Sequence, residues 1–212
     1  RKPATPLLPG NTLAIFLPLT GVLCVVLLAI LADQSTINSE ALINSLTMGL
    51  VATFIALLLL LLWLEWGPQR RQLWLWLPIL LPALPLVAGQ YTLALWLKLD
   101  GSWTAVVWGH LLWVMPWMLF ILQPAWQRID SRLILIAQTL GWSRAKIFFY
   151  VKCPLMLRPV LIAFAVGFAV GIAQYMPTLW LGAGRFPTLT TEAVALSSGG
   201  SNGILAAQAL WQ

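Results

Sequence analysis

Five apolar stretches of about twenty residues dominate this chain, at 11–32, 42–64, 73–96, 103–123 and 159–181, and none has Asp, Glu, Lys or Arg well inside it. A bilayer core about 30 Å thick calls for about 20 apolar residues in a helix. Helices and closed barrels are the only forms that satisfy their own backbone there. The expected fold is therefore all-α, a polytopic transmembrane helical bundle of five complete spans, with a sixth starting near Gly203. Composition agrees: 60% of residues are apolar and 8% charged, against about 25% charged in a soluble domain. Pro18, Pro78, Pro82, Pro85, Pro116 and Pro177 lie in or near these runs and read as kinks.

The charges order the spans. Of twelve basic residues, ten fall before the first run (Arg1, Lys2), between the second and third (Arg70, Arg71), or between the fourth and fifth (Arg128, Arg132, Arg144, Lys146, Lys152, Arg158). The positive-inside rule puts those segments in the cytoplasm and the 182–202 loop outside. Tryptophans cluster at predicted ends of spans: Trp63, Trp66, Trp74, Trp76 and Trp126 on the cytoplasmic side, and Trp96, Trp103 and Trp180 on the outer side, as an interfacial aromatic belt does. The net charge of +6 thus reports topology, and no basic patch on a soluble domain points to nucleic acid. Cys24 and Cys153 sit at different depths, so no disulfide between them is expected. Residues 1–10, with Pro3, Pro6 and Pro9, read as a linker, and 11–212 as the membrane core. The start at Arg1 and the end within a rising apolar run suit a piece of a longer protein, cut before its last helix.

The 124–158 loop is the one sizeable cytoplasmic segment. Asp130 or Ser131 can cap a helix, and Leu133, Ile136, Ala137 and Leu140 form one apolar stripe. Gly141 fits the left-handed C′ position. Ser143 can cap a second helix with Ile147, Phe148 and Val151 on its apolar face, which Pro154 should end. Periodicity fits two forms equally: a knob docking into a partner's groove, or an interfacial helix lying on the membrane.

This loop resembles the cytoplasmic "EAA" loop of binding-protein-dependent ABC importer permeases, which reads Glu-Ala-Ala, three residues, Gly, nine residues, Ile-x-Leu-Pro. Here Ala137-Gln138-Thr139-Leu140-Gly141 is followed, after nine residues, by Val151-Lys152-Cys153-Pro154. Gly141 and Pro154 match in identity and separation, Val151 stands at the Ile position and Ala137 at the second Ala. The sequence departs from the pattern at Leu135, where the family has Glu, at Ile136 and at Cys153. A salt bridge from that Glu to the ATPase has no counterpart at position 135, and Asp130 lies more than a turn away. The loop also falls between the fourth and fifth spans, as in the family. The likeness covers about 40–212 and is closest to permeases that fuse two cores in one chain, as in thiamine and ferric-iron importers.

The resemblance implies a type I importer permease core, with a second core fused or separate, a cytoplasmic ABC ATPase dimer, a periplasmic substrate-binding protein and a bacterial inner membrane. ATP would be bound by the partner ATPase; the chain itself would be no enzyme and carry no cofactor or metal. Ala137, Gly141, Arg144, Lys146, Val151 and Pro154 would form the ATPase-coupling loop. For Arg144 and Lys146, partner contact and positive-inside anchoring fit equally. Asn44, Trp113, Trp117, Gln174, Tyr175 and Thr178 are candidates for the translocation path. Interhelical hydrogen bonding suits the polar ones as well, and lipid contact or packing is the simpler reading of the two tryptophans.

Two other classes fit the sequence less well. An ion-coupled secondary transporter needs ionisable relays at mid-membrane, and His110 is the lone ionisable group there; a packed, hydrogen-bonded histidine is its simpler reading. An intramembrane serine protease would have to use Ser197, Ser198 or Ser201, which lie in a Gly-rich loop without a base.

Overall fold

A computed structural model describes residues 39–68 and 73–199, with side chains for 39–68 and 76–195. The linker 1–10, the run 11–32 with Cys24, and the start of a sixth span lie outside the described residues. Residues Ser39–Thr191 form one compact unit, whose described elements are helices: α1 Ser39–Trp66, α2 Leu73–Leu80, α3 Ala83–Trp96, α4 Trp103–Gln127, α5 Ser131–Thr139, α6 Arg144–Leu155, α7 Leu157–Ile172, α8 Met176–Leu181 and the start of α9 Leu189–Gly199.

Among the described residues two single helices are long and apolar enough to cross a membrane, α1 with 28 residues and α4 with 25. At 1.5 Å per residue α4 extends about 37 Å. On α1, Ala41, Ser45, Met48, Ala52, Ala56, Leu60 and Leu64 are buried at three- and four-residue spacing, while Ile43, Leu50, Phe54, Leu58 and Leu62 are exposed. A helix apolar on both faces belongs in lipid. Ser102 caps α4, its hydroxyl accepting from the Ala105 N–H at 3.2 Å.

α1, α4 and α7 pack mutually, and small residues allow it. A methyl on Gly171 would lie 3.3 Å from the Gly49 Cα, and one on Gly167 2.7 Å from the Met118 sulfur. Gly167 and Gly171 are one turn apart, the small-xxx-small spacing that lets membrane helices approach closely. Around this contact Leu60, Leu64, Met118, Leu119, Leu122 and Met156 form a buried core toward the Trp66 end of α1. A second cluster, of Met48, Ala94, Ala105, Val106 and Leu181, lies toward the Ser39 end.

Two expected spans are interrupted. The run 73–96 is two helices parted at Leu81 and Pro82, where Pro82 is extended (φ −58°, ψ 137°). Pro82 lacks the N–H that would bond the Pro78 carbonyl, and its ring crowds that carbonyl. The run 159–181 breaks at 173–175 between α7 and α8; Pro177, in the first turn of α8, likewise has no N–H to offer Ala173.

Candidate functional site

The loop expected to carry function is folded. Asp130 caps α5, its carboxylate accepting from the Arg132 N–H at 2.9 Å. α5 ends in a Schellman turn: Trp142 N–H bonds the Ala137 carbonyl at 3.1 Å and Gly141 N–H the Gln138 carbonyl at 2.9 Å. Gly141 has φ +74°, where an L side chain is strained. Ser143 then caps α6, accepting from Lys146 N–H at 3.3 Å. Pro154 does not end α6 as expected. A π turn at Phe148–Lys152 carries the helix past it to Leu155, and α6 meets α7 at 74°. Wider i→i+5 bonding in the π turn accommodates the donor that Pro154 lacks.

The outward faces of the loop are apolar. Leu133, Leu135, Ile136, Leu140, Phe149 and Tyr150 are exposed, whereas Ala137, Ile147 and Phe148 are buried. Of the expected stripe on α5, only Ala137 packs inside the chain. Val151 is half-buried in the π turn and Pro154 is exposed. Lys146 lies over the Trp142 ring, its Nζ 4.7 Å from the centroid.

Arg144 is not a free cation. Its Nε donates to Glu65 Oε1 at 2.8 Å, and its terminal nitrogen reaches the Glu65 backbone carbonyl. Lys152 Nζ donates to Glu65 Oε2 at 2.5 Å. The Glu65 side chain is 2% exposed, Lys152 13% and Arg144 63%. Rings close the joint: Trp66 and Trp126 flank Phe148 at 5.2 and 6.2 Å, with Arg144 over Trp66 and Lys152 over Trp126. Two tryptophans expected among lipid headgroups thus hold the loop against the bundle. A cavity of about 360 Å³ beside the triad is lined by Ile134, Gln138 and Trp142. Burial, and after it the Glu65 carboxylate, pushes the Cys153 thiol pKa up.

A second site lies at the α7–α8 break. Trp113, Ala173, Gln174, Tyr175 and Val87 line a cavity of about 230 Å³, which brings together three of the six path candidates. The others lie elsewhere. Trp117 is exposed on α4. Asn44 donates to the Pro187 carbonyl at 3.0 Å, next to Ser45, whose hydroxyl accepts from Leu189 N–H. Thr178 is buried, donates to the Gln174 carbonyl at 2.8 Å and stands 2.9 Å from His110 Nε2. With its one proton committed there, Thr178 accepts from Nε2–H, and His110 Nδ1 is left a bare acceptor. That atom, the Gln90 amide and the Trp113 indole N–H have no hydrogen-bond partner among the described residues. His110 is thus packed and hydrogen-bonded, as its simpler reading held.

Sequence reasoning missed Glu65. The sole signal was one acid at the end of an apolar run on the basic side of the chain.

Two curated relatives are the spermidine/putrescine transport system permease protein PotC homologues of Mycoplasma genitalium, 30% identical over 107 residues (49% of this chain, 37% of the relative), and Mycoplasma pneumoniae, 30% identical over 94 residues (44% and 32%). The chain thus matches about a third of the length of each. Residues 71–210, which contain the folded loop and the α7–α8 break, match the family described as binding-protein-dependent transport system inner membrane component. With that match covering more than half of its length, the chain belongs to this family.

Proposed function

We propose that the chain is the permease subunit of an ATP-binding-cassette importer, a multi-pass protein of a bacterial inner membrane whose 124–158 loop docks on a cytoplasmic ATPase dimer. One observation carries this reading: within the family-matched region, a capped helix pair bent at a left-handed Gly141 presents an apolar outer face that is exposed among the described residues. ATP hydrolysis belongs to the partner, and no residue of this chain is assigned a catalytic role. Ala137, Gly141, Val151 and Pro154 shape the knob, and Lys146 on Trp142 lies at its rim.

In this reading α2 with α3, and α7 with α8, each form one broken span, which with α1, α4 and the run 11–32 gives five spans and the start of a sixth. Broken helices are a recurring way to line passages at membrane depth, and the cavity of Trp113, Gln174 and Tyr175 at one such break is the proposed path. A second core, fused as in thiamine and ferric-iron importers, and a periplasmic binding protein complete the machine. The relatives' names make polyamines the first cargo to test. Among the described residues that line the cavity there is no carboxylate, which fits selection by the proposed binding protein.

Photo-crosslinking tests the docking. Benzoylphenylalanine at Ile136 or Tyr150 of the full-length permease should capture the coexpressed ATPase subunit. Capture of lipid alone at both positions would overturn the proposal in favour of an interfacial helix.

A further inference from the structure

We infer that Glu65 is the positioning residue that carries motion of the coupling loop into the transmembrane bundle. The inference rests on the reading of 124–158 as a docking knob, and adds a route from the knob to α1 in a chain whose loop has Leu135 at the motif's glutamate position.

The geometry is specific. Both Glu65 carboxylate oxygens are taken, one by Arg144 in the first turn of α6 and the other by Lys152 two turns on. In a regular α-helix, at about 100° per residue, positions eight apart differ by about 80° around the axis. A π turn advances about 80° per residue, which over five residues removes about that offset. The π turn at Phe148–Lys152 therefore brings Lys152 onto the Arg144 face, and one carboxylate grips α6 at both ends. α6 in turn carries the exposed Phe149 and Tyr150 and leads at 74° into α7. A push on the knob thus reaches α7 through the chain and α1 through Glu65.

Stability alone is a poor reason for this arrangement. Burying a carboxylate costs solvation that its partners roughly return, and apolar replacements of such groups are often neutral. The aromatic ring set of Trp66, Trp126 and Phe148 would pack the joint without charge. What an ion triad adds is one fixed arrangement, which transmission through the joint requires.

The test reads conformational response without a substrate. Ala173→Cys, in the α7–α8 cavity, reports accessibility to a membrane-impermeant maleimide in a full-length permease lacking other thiols, coexpressed with its ATPase and placed in nanodiscs. With ATPase bound, a non-hydrolysable ATP analogue should change the labelling rate several-fold. Glu65→Gln should keep the ATPase bound and abolish that response, and Glu65→Asp should restore part of it. Lys152→Gln, which leaves the Arg144 pair, should give an intermediate response. A Glu65→Gln protein that responds like the parent overturns the inference. So does loss of the ATPase from both Glu65→Gln and Glu65→Asp, which would make Glu65 a folding residue. Failure of the parent permease to bind the ATPase would instead refute the docking reading itself.

Discussion

The two ends of the bundle treat their charged and polar groups differently, although the Trp63 N–H at the Trp66 end is also buried without a partner among the described residues. At the Trp66 end, Glu65, Arg144 and Lys152 are paired, and the turns between α5 and α6 are capped by Asp130, Gly141 and Ser143. Toward the α7–α8 break, the Gln90 amide, His110 Nδ1 and the Trp113 N–H are buried without partners among the described residues. A satisfied buried network fixes one arrangement, whereas an unsatisfied group costs free energy until it finds a partner. The ion triad holds the first end in one arrangement, while the second keeps several polar groups without partners among the described residues, which suits the coupling joint and the passage proposed for them.

Four substitutions sharpen this contrast. Glu65→Ala should have the largest effect, because it leaves the largely covered Lys152 ammonium, 13% exposed, without its carboxylate. We expect hydrogen-exchange protection of α6 to fall by about 2–4 kcal/mol, at the lower side of a broken buried pair because Arg144 is solvated. Protection unchanged within error would mean the triad holds nothing. Gly167→Val comes next. Its new methyls meet Met118 and Thr53, and overpacking of this kind costs about 1–3 kcal/mol, read as a lower thermal midpoint in detergent. An unaltered midpoint would show that α4 and α7 are not in close contact there.

Thr178→Val removes the acceptor for His110 Nε2–H at the looser end. Interhelical hydrogen bonds in membranes average about 0.6 kcal/mol, so the midpoint should fall less than for Gly167→Val. A larger fall would reverse the contrast between the two ends. The smallest effect is chemical. The Glu65 carboxylate helps raise the Cys153 pKa. Glu65→Gln lowers that pKa toward its ordinary value and increases the thiolate fraction at pH 8. Alkylation should accelerate by less than about tenfold, the equivalent of one pKa unit; slower alkylation would refute the charge contact.

The knob was legible in the sequence because helix caps are local. Asp130, Ser143 and Gly141 act within a few residues of themselves, and all three take the expected positions. Trp113, Gln174 and Tyr175 were readable as candidates, but a lining residue and an interhelical bond look alike in one dimension, so Asn44 and Thr178 could not be separated from them. The break at Pro82 had a visible cause in its proline, although the expected span ran through it. Pro154 misled because a π turn moves the register by one residue, which no residue pattern announces. Glu65 stayed hidden because it lies 79 residues from Arg144 and 87 from Lys152, and nothing local joins them.

Gly141 offers the most direct test of the coupling role proposed for 124–158. A methyl there meets open space, so the whole cost of a β-branched side chain falls on the left-handed backbone, about 1–2 kcal/mol. Gly141→Val in the full-length permease should reach normal membrane levels, because the spans are remote from the bend, while the ATPase no longer copurifies. Normal ATPase copurification at normal membrane levels would contradict the assignment of 124–158 as the coupling loop.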